Sequence, residues 1–500
     1  MKSEKNNPLE EGLRIRKIAD KNTLVIFGAT GDLTKRKLMP ALFSLFKQGF
    51  IPKEFDIIAF ARSENTDDSF RKVVEKAIAS EETSSDSIEP FLKRISYFRG
   101  AYSETDDFKR LKKRLEEIDN NVLFYLATPP SAFDNIIHNL GAVDMAFLQD
   151  HWTRVIIEKP FGRDLDSARM LNETIQKVFN EDQIYRIDHY LGKETVQNLL
   201  VFRFANTIFE PIWNRRYIDH IQITVSEKIG IEGRGGFFEE TGILRDIVQN
   251  HMMQLLCLVA MEPPSTTEPN AVRDEKVKVL HAVRSLGPDI DENVKRGQYG
   301  EGSIDGNNVK GYRDEENVSP QSKTETYVAL RLMIENWRWA GVPFYLRCGK
   351  RLPKKVTEIA IYFKKPPLLM FGHNVEKEAM ANVLTVTIQP DEGISLSFDS
   401  KIPGYRTRIR PVTMEFRYGT SFGQVPPDAY ERLLLDAMIG DPTLFTRADE
   451  NEQAWKIIDP ILTKWQEGSD IPVHSYRAGS WGPKKVDDWI EKQGRLWRRL

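Results

Sequence analysis

The sequence predicts two domains: a doubly wound α/β domain, then a larger α+β domain with a mainly antiparallel sheet. A chain of 500 residues is roughly two to three times the usual length of one domain. Its first part alternates continuous apolar runs with helical stretches, which is typical of a parallel sheet covered on both faces. Its later part alternates apolar and polar residues with a period of two, which is typical of an antiparallel sheet with one buried face.

Short apolar runs and one helical stretch alternate along the first part of the chain. The predicted strands are 23–27, 56–60, 122–126 and 155–157, and the predicted helix covers 37–47. Because these runs are apolar throughout, we expect both faces of each strand to be buried beneath helices. Residues 1–21 carry mixed charges and lack the apolar segment of a targeting peptide, so we interpret them as a flexible N-terminal lead-in.

The later part of the chain contains five segments with apolar residues at every second position. These residues are Ile221, Ile223 and Val225; Val328, Leu330, Leu332 and Ile334; Leu384, Val386 and Ile388; Ile394, Leu396 and Phe398; and Val412, Met414 and Phe416. One helix is predicted from about 194 to 204, and another follows the glycines of 233–236, with Thr241 capping its start. Residues 291–322 are rich in Gly, Asn and charge and are predicted to form a long excursion. We place the domains at 22–187 and 188–500.

Composition and charge restrict the classes of function. The 71 basic and 73 acidic side chains leave a net charge of −2, too weak to recruit a polyanion across the surface, so no nucleic acid partner is predicted. The two cysteines, Cys257 and Cys348, form no Cys-x-x-Cys pair, and no His, Cys or carboxylate set has zinc spacing, so no metal is predicted. The longest nearly pure apolar run, 255–261, is far shorter than a bilayer span. We therefore predict a cytoplasmic protein with no membrane partner.

A glycine loop follows the first predicted strand. Gly28-Ala-Thr-Gly31-Asp-Leu comes directly after 24–27 and runs into the predicted helix. Glycines at such a turn let backbone amides approach a pyrophosphate, whose charge the helix N-terminus stabilises. The loop predicts a Rossmann-like dinucleotide-binding domain over 22–187, although two glycines also fit a plain connection. Arg62 stands where an acidic residue usually selects NAD, which favours NADP, with a solvated surface arginine as the alternative.

Two clusters of charged residues lie at strand ends or near the domain junction. Residues 186–194 include six hydrogen-bonding or charged side chains, and in a helix His189 and Lys193 would share one face and hold a dianionic phosphate. Lys159 follows the predicted strand 155–157, at a carboxyl end where α/β sheets bind ligands. The alternative for His189 and Lys193 is an ordinary surface pair, and the alternative for Lys159 is an ordinary loop lysine.

A third cluster, residues 244–251, lies on the second predicted helix. Asp246 and His251 are five residues apart, about 140° around an ideal α-helix, so they are placed to flank one ligand more easily than to pair with each other. An imidazole titrates near neutrality, which suits a proton acceptor. A structural histidine is the alternative.

Seven segments together resemble the glucose-6-phosphate dehydrogenase family in order and spacing. They are GATGDLTKRKLMPAL, YLATPP, EKPFG, RIDHYLGKE, GRGGFF followed by RDIVQNH, RCGKRLPKK and PDAYERL. The resemblance runs from about residue 22 to the C-terminus. RIDHYLGKE and the Arg-Asp-x-x-x-Asn-His segment are highly specific to this family, whereas the glycine loop is not.

The resemblance implies oxidation of glucose 6-phosphate at C1 to 6-phosphoglucono-1,5-lactone, with hydride transfer to NADP, as the first step of the oxidative pentose phosphate pathway. His251 would accept the proton of the C1 hydroxyl, Asp188 would orient and stabilise the imidazolium, and Lys159 would reach both substrate and nicotinamide. The implied cofactor contacts are Gly28, Ala29, Thr30, Gly31, Asp32, Leu33, Thr34, Lys35, Arg62 and Lys159. The implied substrate contacts are His189, Tyr190, Lys193, Glu227, Asp246, Lys350 and Lys355.

The chain departs from the family pattern at two places. Phe133 stands where some members carry a tyrosine near the cofactor, which removes a hydroxyl. Residues 481–500 do not resemble the tail that builds a second, structural NADP site in animal members, so no such site is predicted. The resemblance also implies that 188–500 binds the substrate and forms a homodimer or a dimer of dimers. A related hexose-phosphate dehydrogenase and a non-catalytic NADP-binding redox sensor remain the alternatives.

Overall fold

A computed structural model describes residues 18–79, 85–368, 381–405, 408–423, 427–468 and 472–500. The described residues form two compact units. The first unit takes in the described residues of Met1–Gly162, Asp166–Gly192 and Pro427–Ala448, and the second takes in the described residues of Arg163–Leu165, Lys193–Pro426 and Asp449–Leu500. Most of the predicted lead-in, residues 1–17, lies outside the described residues, and the domain boundaries stay a prediction.

The described residues contain strands, α-helices and two π-helical segments. In chain order the strands are β1 Asn22–Phe27, β2 Asp56–Ala61, β3 Ile95–Arg99, β4 Asn121–Leu126, β5 Thr153–Ile157, β6 Ile184–Ile187, β7 Ile218–Ser226, β8 Val294–Gly300, β9 Gly302–Ile304, β10 Asn307–Val309, β11 Tyr327–Met333, β12 Pro343–Gly349, β13 Val356–Phe363, β14 Val383–Gln389, β15 Gly393–Lys401, β16 Ile409–Arg417, β17 Phe445–Thr446 and β18 Val473–Arg477. The α-helices are Met39–Lys47, Asp67–Ile78, Ser85–Leu92, Thr105–Ile118, Phe133–Ala142, Leu165–Gln176, Glu194–Phe204, Gly235–Ile243, Met253–Ala260, Pro269–Ala282, Ile290–Asn293, Tyr418–Phe422, Ala429–Ile439, Ala448–Gln466 and Lys484–Glu491. The π-helical segments are Thr34–Leu38 and Leu244–Met252. None of the described helices is long and apolar enough to cross a membrane.

The first unit contains a seven-stranded sheet in the order β17-β6-β5-β4-β1-β2-β3. Strands β1 to β6 are parallel, and β17 adds an antiparallel edge. This is the strand order of a doubly wound dinucleotide-binding domain, whose order reverses between the first and fourth strands. The predicted fold class is confirmed for this part of the chain.

The apolar runs of the first sheet are buried on both faces, as predicted. All six residues of β1 are buried, and Phe27 packs 5.0 Å from Phe60 and 5.8 Å from Phe108 between ring centres. Phe133 is fully buried in the same apolar core. A strand with every residue buried is expected inside a sheet that is covered on both faces, and β1 lies between β4 and β2.

The second unit contains a nine-stranded sheet in the order β16-β15-β14-β13-β7-β12-β11-β8-β18. Most neighbours are antiparallel, while β7 with β12 and β8 with β18 are parallel. The predicted α+β class is confirmed. The predicted excursion over 291–322 is wrong in part, because 294–300 forms strand β8 of this sheet.

The expectation that one face of this sheet stays solvated is wrong for its centre. Gln222 and Thr224 alternate with the apolar residues of β7, yet they are 1% and 3% exposed. Gln222 bonds to the C-terminal segment: its Nε2 donates to the Leu496 carbonyl at 2.8 Å, and its Oε1 accepts from the Arg498 amide at 2.9 Å. Thr224 Oγ1 accepts from Arg347 Nε at 3.0 Å. Hydrogen bonds within the unit thus satisfy polar side chains that the alternation predicted to be in water.

A buried ion pair joins two helices of the second unit. Lys276 Nζ lies 2.7 Å from Glu450 Oε1, and the two side chains are 1% and 0% exposed. We expect Lys276→Met to lower the free energy of unfolding by about 3–5 kcal/mol, because a buried carboxylate loses its ammonium partner. The double variant Lys276→Met/Glu450→Leu should lose much less, because it buries no charge. Thermal unfolding by circular dichroism measures both, and a single variant as stable as the unmodified protein would contradict this expectation.

Candidate active site

The glycine loop lies at the carboxyl end of β1, beside the point where the strand order reverses. Gly28 has φ +85°, and a Cβ atom added there would lie 2.4 Å from the Ala127 carbonyl oxygen, so the turn requires glycine. The Gly31 amide donates to the Gly28 carbonyl at 2.9 Å, and Thr34 Oγ1 donates to the same carbonyl at 3.2 Å. These bonds fold the loop tightly against the end of the strand.

A helical segment starts directly after Gly31, with Thr34–Leu38 π-helical and Met39–Lys47 α-helical. The first amides of a helix have no acceptor within the helix and are available to an anion. The loop therefore fits a dinucleotide pyrophosphate, both in its position on the sheet and in the donors it presents. Of the predicted cofactor residues, Ala29 and Thr34 are buried, and Gly31 and Asp32 are exposed.

Arg62 follows β2 at the same edge of the sheet. Its side chain is exposed, and its guanidinium carbon lies 5.8 Å from the centre of the Tyr102 ring. Burial raises the pKa of Tyr102. The nearby Glu64 carboxylate is paired with Arg99 at 2.8 Å. The guanidinium is thus presented at a strand end where a 2′-phosphate is read in this fold.

Lys159 follows β5, and its neighbour Glu158 is anchored beneath it. Tyr125 donates its hydroxyl to Glu158 Oε1 at 2.6 Å, and Tyr430 also bonds this carboxyl group. Burial raises the pKa of Glu158. Lys159 itself is half-buried. Sequence reasoning missed Glu158, although it stands in the segment that singled out Lys159.

Asp188, His189 and Tyr190 follow β6 at this edge as well. Asp188 is buried and accepts the Tyr190 amide on Oδ1 at 3.0 Å, and the His189 ring lies parallel to the Tyr430 ring with centres 6.5 Å apart. The helical reading of this stretch is wrong, because the Asp188 carboxylate and carbonyl fold residues 188–191 into a turn. His189 and Lys193 therefore do not share a helix face.

The first unit brings its predicted residues to one edge. The glycine loop, Arg62, Lys159 and Asp188 follow the ends of β1, β2, β5 and β6, which are parallel strands of one sheet. Since the carboxyl ends of parallel strands lie at the same edge of a sheet, the strand topology alone is enough to place these candidate ligand-binding residues at that edge.

In the second unit, two parallel neighbouring strands bring Glu227 and Lys350 together. Ser226 at the end of β7 is paired with Gly349 at the end of β12, and the next residue on each strand is Glu227 and Lys350. Lys350 Nζ lies 2.5 Å from Glu227 Oε2 and 3.9 Å from Asp246 Oδ2, with only 2% of the lysine side chain exposed. We call Glu227, Asp246 and Lys350 the acid–lysine cluster.

Asp246 and His251 lie on the π-helical segment Leu244–Met252. The predicted separation of 140° is wrong for this geometry, because hydrogen bonds of a π-helix join residues five apart and stack them about one turn above each other. Thr241 does not cap the helix; its hydroxyl donates to the Phe237 carbonyl at 2.9 Å. His251 is 1% exposed, and its amide donates to Asn250 Oδ1 at 2.6 Å.

The two remaining predicted lysines have different surroundings. Lys193 directly precedes the helix Glu194–Phe204, and its ammonium donates to Gln389 Oε1 at 2.6 Å. Gln389 in turn donates to Thr357 Oγ1 at 2.9 Å. Sequence reasoning missed Gln389, which belongs to none of the recognised segments. Lys355 is exposed just before β13.

Comparisons with known proteins match nearly the whole chain to one family. A family model described as the glucose-6-phosphate dehydrogenase NAD-binding domain matches residues 25–198, and the C-terminal domain model of the same family matches residues 200–498. A glucose-6-phosphate 1-dehydrogenase of Chlamydia pneumoniae is 50% identical over 492 residues, covering 95% of this chain and 96% of that protein. Another from Aggregatibacter actinomycetemcomitans is 48% identical over 489 residues, covering 96% and 98% of the two chains.

Solved structures of the same family superpose on the chain. One, described as glucose-6-phosphate dehydrogenase in complex with its substrate glucose-6-phosphate, has a TM-score of 0.89 and 37% identity, and covers 97% of this chain and 99% of that chain. A glucose-6-phosphate 1-dehydrogenase from Mycobacterium avium has a TM-score of 0.84, also at 37% identity, and covers 96% and 99%. By sequence and by structure over nearly its full length, the chain belongs to the glucose-6-phosphate dehydrogenase family.

Proposed function

We propose that the chain oxidises glucose 6-phosphate at C1 to 6-phosphoglucono-1,5-lactone with NADP as hydride acceptor, the first step of the oxidative pentose phosphate pathway. The full-length likeness to a family member described with its substrate glucose-6-phosphate carries this proposal. The acid–lysine cluster supports it, because two carboxylates and an ammonium offer both acceptors and a donor to sugar hydroxyls.

NADP, when bound, supplies the hydride acceptor. Residues 28–35 would hold its pyrophosphate through the loop amides and the helix start, and Arg62 would pair with its 2′-phosphate. Lys159, at the neighbouring strand end, would contact both the nicotinamide and the substrate.

We expect Arg62→Ala to lower kcat/KM with NADP by about ten- to a hundred-fold and to change kcat/KM with NAD far less. The reason is that a charge-assisted contact to phosphate contributes about 1.5–3 kcal/mol. Arg110 is a matched control, since it is an exposed arginine of the same unit paired with Asp107 at 2.6 Å. Arg110→Ala should leave kcat/KM unchanged with either cofactor. If Arg62→Ala lowered kcat/KM equally with NADP and NAD, Arg62 would not be the residue that binds the 2′-phosphate.

The substrate's phosphate is assigned to His189, Tyr190 and Lys193, and its hydroxyls to Glu227 and Asp246. Lys350 would fix both carboxylates of the cluster and contact the sugar, and with Lys355 it would close the far side of the site. A cationic ammonium and an imidazole suit a dianionic phosphate, whereas carboxylates suit hydroxyl donors.

The proton of the C1 hydroxyl is assigned to His251, with Asp188 as the carboxylate that orients the imidazole and stabilises its protonated form. Removing this proton as the hydride leaves allows the carbonyl of the lactone to form. A base that is itself held by a carboxylate is the general arrangement for this task.

Two alternatives keep the fold and change the activity: another hexose phosphate as substrate, or NADP binding without turnover as a redox sensor. NADPH formation with a panel of sugars and sugar phosphates separates them. Glucose 6-phosphate should give by far the highest kcat/KM. Preference for another sugar phosphate would support the first alternative, and NADP binding with no turnover of any sugar would support the second.

The assembly is proposed to be a homodimer, or a dimer of such dimers, in the cytoplasm. Strand β16 is the edge of the large sheet in the described residues, and Val412 and Met414 on it are 40% and 61% exposed. Exposed apolar side chains on a long edge strand are a liability unless another chain covers them. Light scattering of the purified protein tests the assembly, and a monomer mass would contradict it.

A further inference from the structure

The π-helix that carries Asp246 and His251 starts against a buried glutamate from a distant part of the sequence. The Ile243 amide donates to the Glu325 carbonyl at 3.1 Å, and the Leu244 amide donates to Glu325 Oε1 at 3.1 Å. These two amides belong to the first turn, where a helix provides no acceptors of its own. Glu325 therefore caps this helix from outside, with both its backbone and its side chain.

Gly242 makes room for the Glu325 carboxyl group. Its φ of +63° and ψ of 173° break the preceding helix Gly235–Ile243 immediately before the π-helix begins. A Cβ atom added to Gly242 would lie 2.3 Å from Glu325 Oε1 and 2.8 Å from Glu325 Cδ. The break in the helix and the position of the carboxyl group thus depend on each other.

The Glu325 side chain is held inside the second unit. The residue is 5% exposed, and burial raises its pKa, with Arg245 and Arg296 as the nearby cations that oppose this shift. In either protonation state the carboxyl group keeps an oxygen that accepts the Leu244 amide. Neither Glu325 nor Gly242 belongs to the acid–lysine cluster.

Thr326, the residue after Glu325, holds the backbone of Lys350, the lysine of the acid–lysine cluster. The Thr326 carbonyl accepts the Lys350 amide at 2.9 Å, and the Lys350 carbonyl accepts the Tyr476 hydroxyl at 2.6 Å. Two consecutive residues therefore hold the start of the π-helix and the lysine that lies 3.9 Å from Asp246 Oδ2.

We propose that Glu325 is a positioning residue that sets the π-helix carrying Asp246 and His251 in register with Glu227 and Lys350. It acts through the Leu244 amide and does not touch the substrate. This inference rests on the proposed function for its kinetic consequence, but the structural role stands on the contacts alone.

The kinetic test compares Glu325→Ala, which removes the side-chain acceptor of the cap and leaves the backbone carbonyl, with Glu325→Gln, which keeps one side-chain oxygen as acceptor. Glu325→Ala should lower kcat by between about ten- and a hundred-fold, because a small misplacement of a catalytic group has effects of this order. KM for glucose 6-phosphate should change less than kcat, the Kd for NADP should stay unchanged, and Glu325→Gln should recover most of the turnover.

Glu358 provides a matched control. It is a glutamate of the same unit, 9% exposed, with a pKa also raised by burial, and it pairs with Arg498 at 2.7 Å. Glu358→Ala should lower the melting temperature without a selective loss of kcat. If Glu325→Ala kept kcat within twofold, or lost no more turnover than Glu358→Ala, the proposal would be overturned.

A second variant tests the packing directly. Gly242→Ala should lower kcat in the unmodified protein, because its Cβ displaces the carboxyl group, but should have a smaller additional effect in the Glu325→Ala protein. Equal effects in both proteins would show that the two residues are not coupled and would contradict the proposal.

Amide hydrogen exchange separates this inference from the proposed function. Exchange over 243–252 should become faster in Glu325→Ala and not in Glu358→Ala, whether or not the protein turns over glucose 6-phosphate. Unchanged exchange would overturn the positioning role, whereas a failure of the unmodified protein to oxidise glucose 6-phosphate would overturn only the proposed function.

Discussion

Replacement of His251 by Asn should lower kcat by about a hundred- to ten-thousand-fold, with little change in KM for glucose 6-phosphate. The amide keeps the approximate size of the imidazole and some of its hydrogen bonding, but it does not accept the proton of the C1 hydroxyl. Hydride leaves C1 readily only when that proton is removed, so the whole effect falls on the chemical step. Steady-state kinetics of NADPH formation measures it.

The role of Asp188 is tested in combination with His251. Asp188→Asn should also lower kcat, because an amide does not stabilise an imidazolium as a carboxylate does. The double variant should lose much less than the product of the two single losses, since residues that act as one unit are not additive. If the loss of kcat in the double variant equalled the product of the two single losses, Asp188 and His251 would act independently, and Asp188 would not support the base.

His220 is the matched control for these variants. It is a buried histidine whose Nδ1 lies 2.7 Å from Asp219 Oδ2, on β7, and burial lowers its pKa. His220→Asn should leave kcat near normal. A His251→Asn protein with near-normal kcat and an intact circular dichroism spectrum would return His251 to a structural role.

Removing the phosphate from the substrate should cause the second largest loss of activity, measured as kcat/KM. Each charged hydrogen bond contributes about 1.5–3 kcal/mol, so two such contacts predict a kcat/KM for glucose that is roughly a hundred- to ten-thousand-fold lower than for glucose 6-phosphate. Lys193→Ala should raise KM for the phosphorylated sugar and leave NADP binding unchanged. Competition with inorganic phosphate should weaken in the same variant.

Lys278 is the control for Lys193. It is a lysine of the same unit, exposed on the helix Pro269–Ala282 and paired with Glu275 at 2.7 Å. Lys278→Ala should leave KM unchanged. Similar kcat/KM values for glucose and glucose 6-phosphate in the unmodified protein would show that these residues do not select the phosphate.

The sequence predicts the first sheet well where strands are apolar throughout and less well where they carry charge. Strands β1, β2, β4 and β5 match the predicted runs to within two residues at each end. Strand β6 was missed because it contains Arg186, which is 1% exposed and is neutralised by Glu181 at 2.5 Å. The charge of Arg186 interrupts the apolar run, and the pattern of apolar residues does not show that Glu181, five residues earlier, compensates this charge.

The centre of the second sheet was harder to predict for the same reason. Every residue of β12 is buried, including Arg347, so the strand shows no alternation. Arg347 donates to Thr224 Oγ1 at 3.0 Å and to the Arg498 carbonyl at 2.8 Å. The C-terminal residues supply the partners, and short-range periodicity does not reveal a contact between residues so far apart in sequence.

In the candidate site too, short segments reveal some features, whereas others depend on residues that are distant in sequence. Local segments single out Lys159, Asp188, Asp246 and His251 as candidates, because their residue types and spacing are distinctive. The π-helical geometry of the last two is not predictable from their spacing, because the segment begins after the break at Gly242 and its first amides bond to Glu325, which lies about eighty residues away. Gln389 was missed because only the folded sheet brings it to Lys193.

The most direct test of the proposed activity follows the hydrogen at C1. Glucose 6-phosphate carrying deuterium at C1 is incubated with the purified protein and NADP, and the reduced cofactor is examined by mass spectrometry. We expect one deuterium in each NADPH formed, because the hydride passes directly from C1 to the cofactor. Unlabelled NADPH, or a labelled substrate that is not consumed, would contradict it.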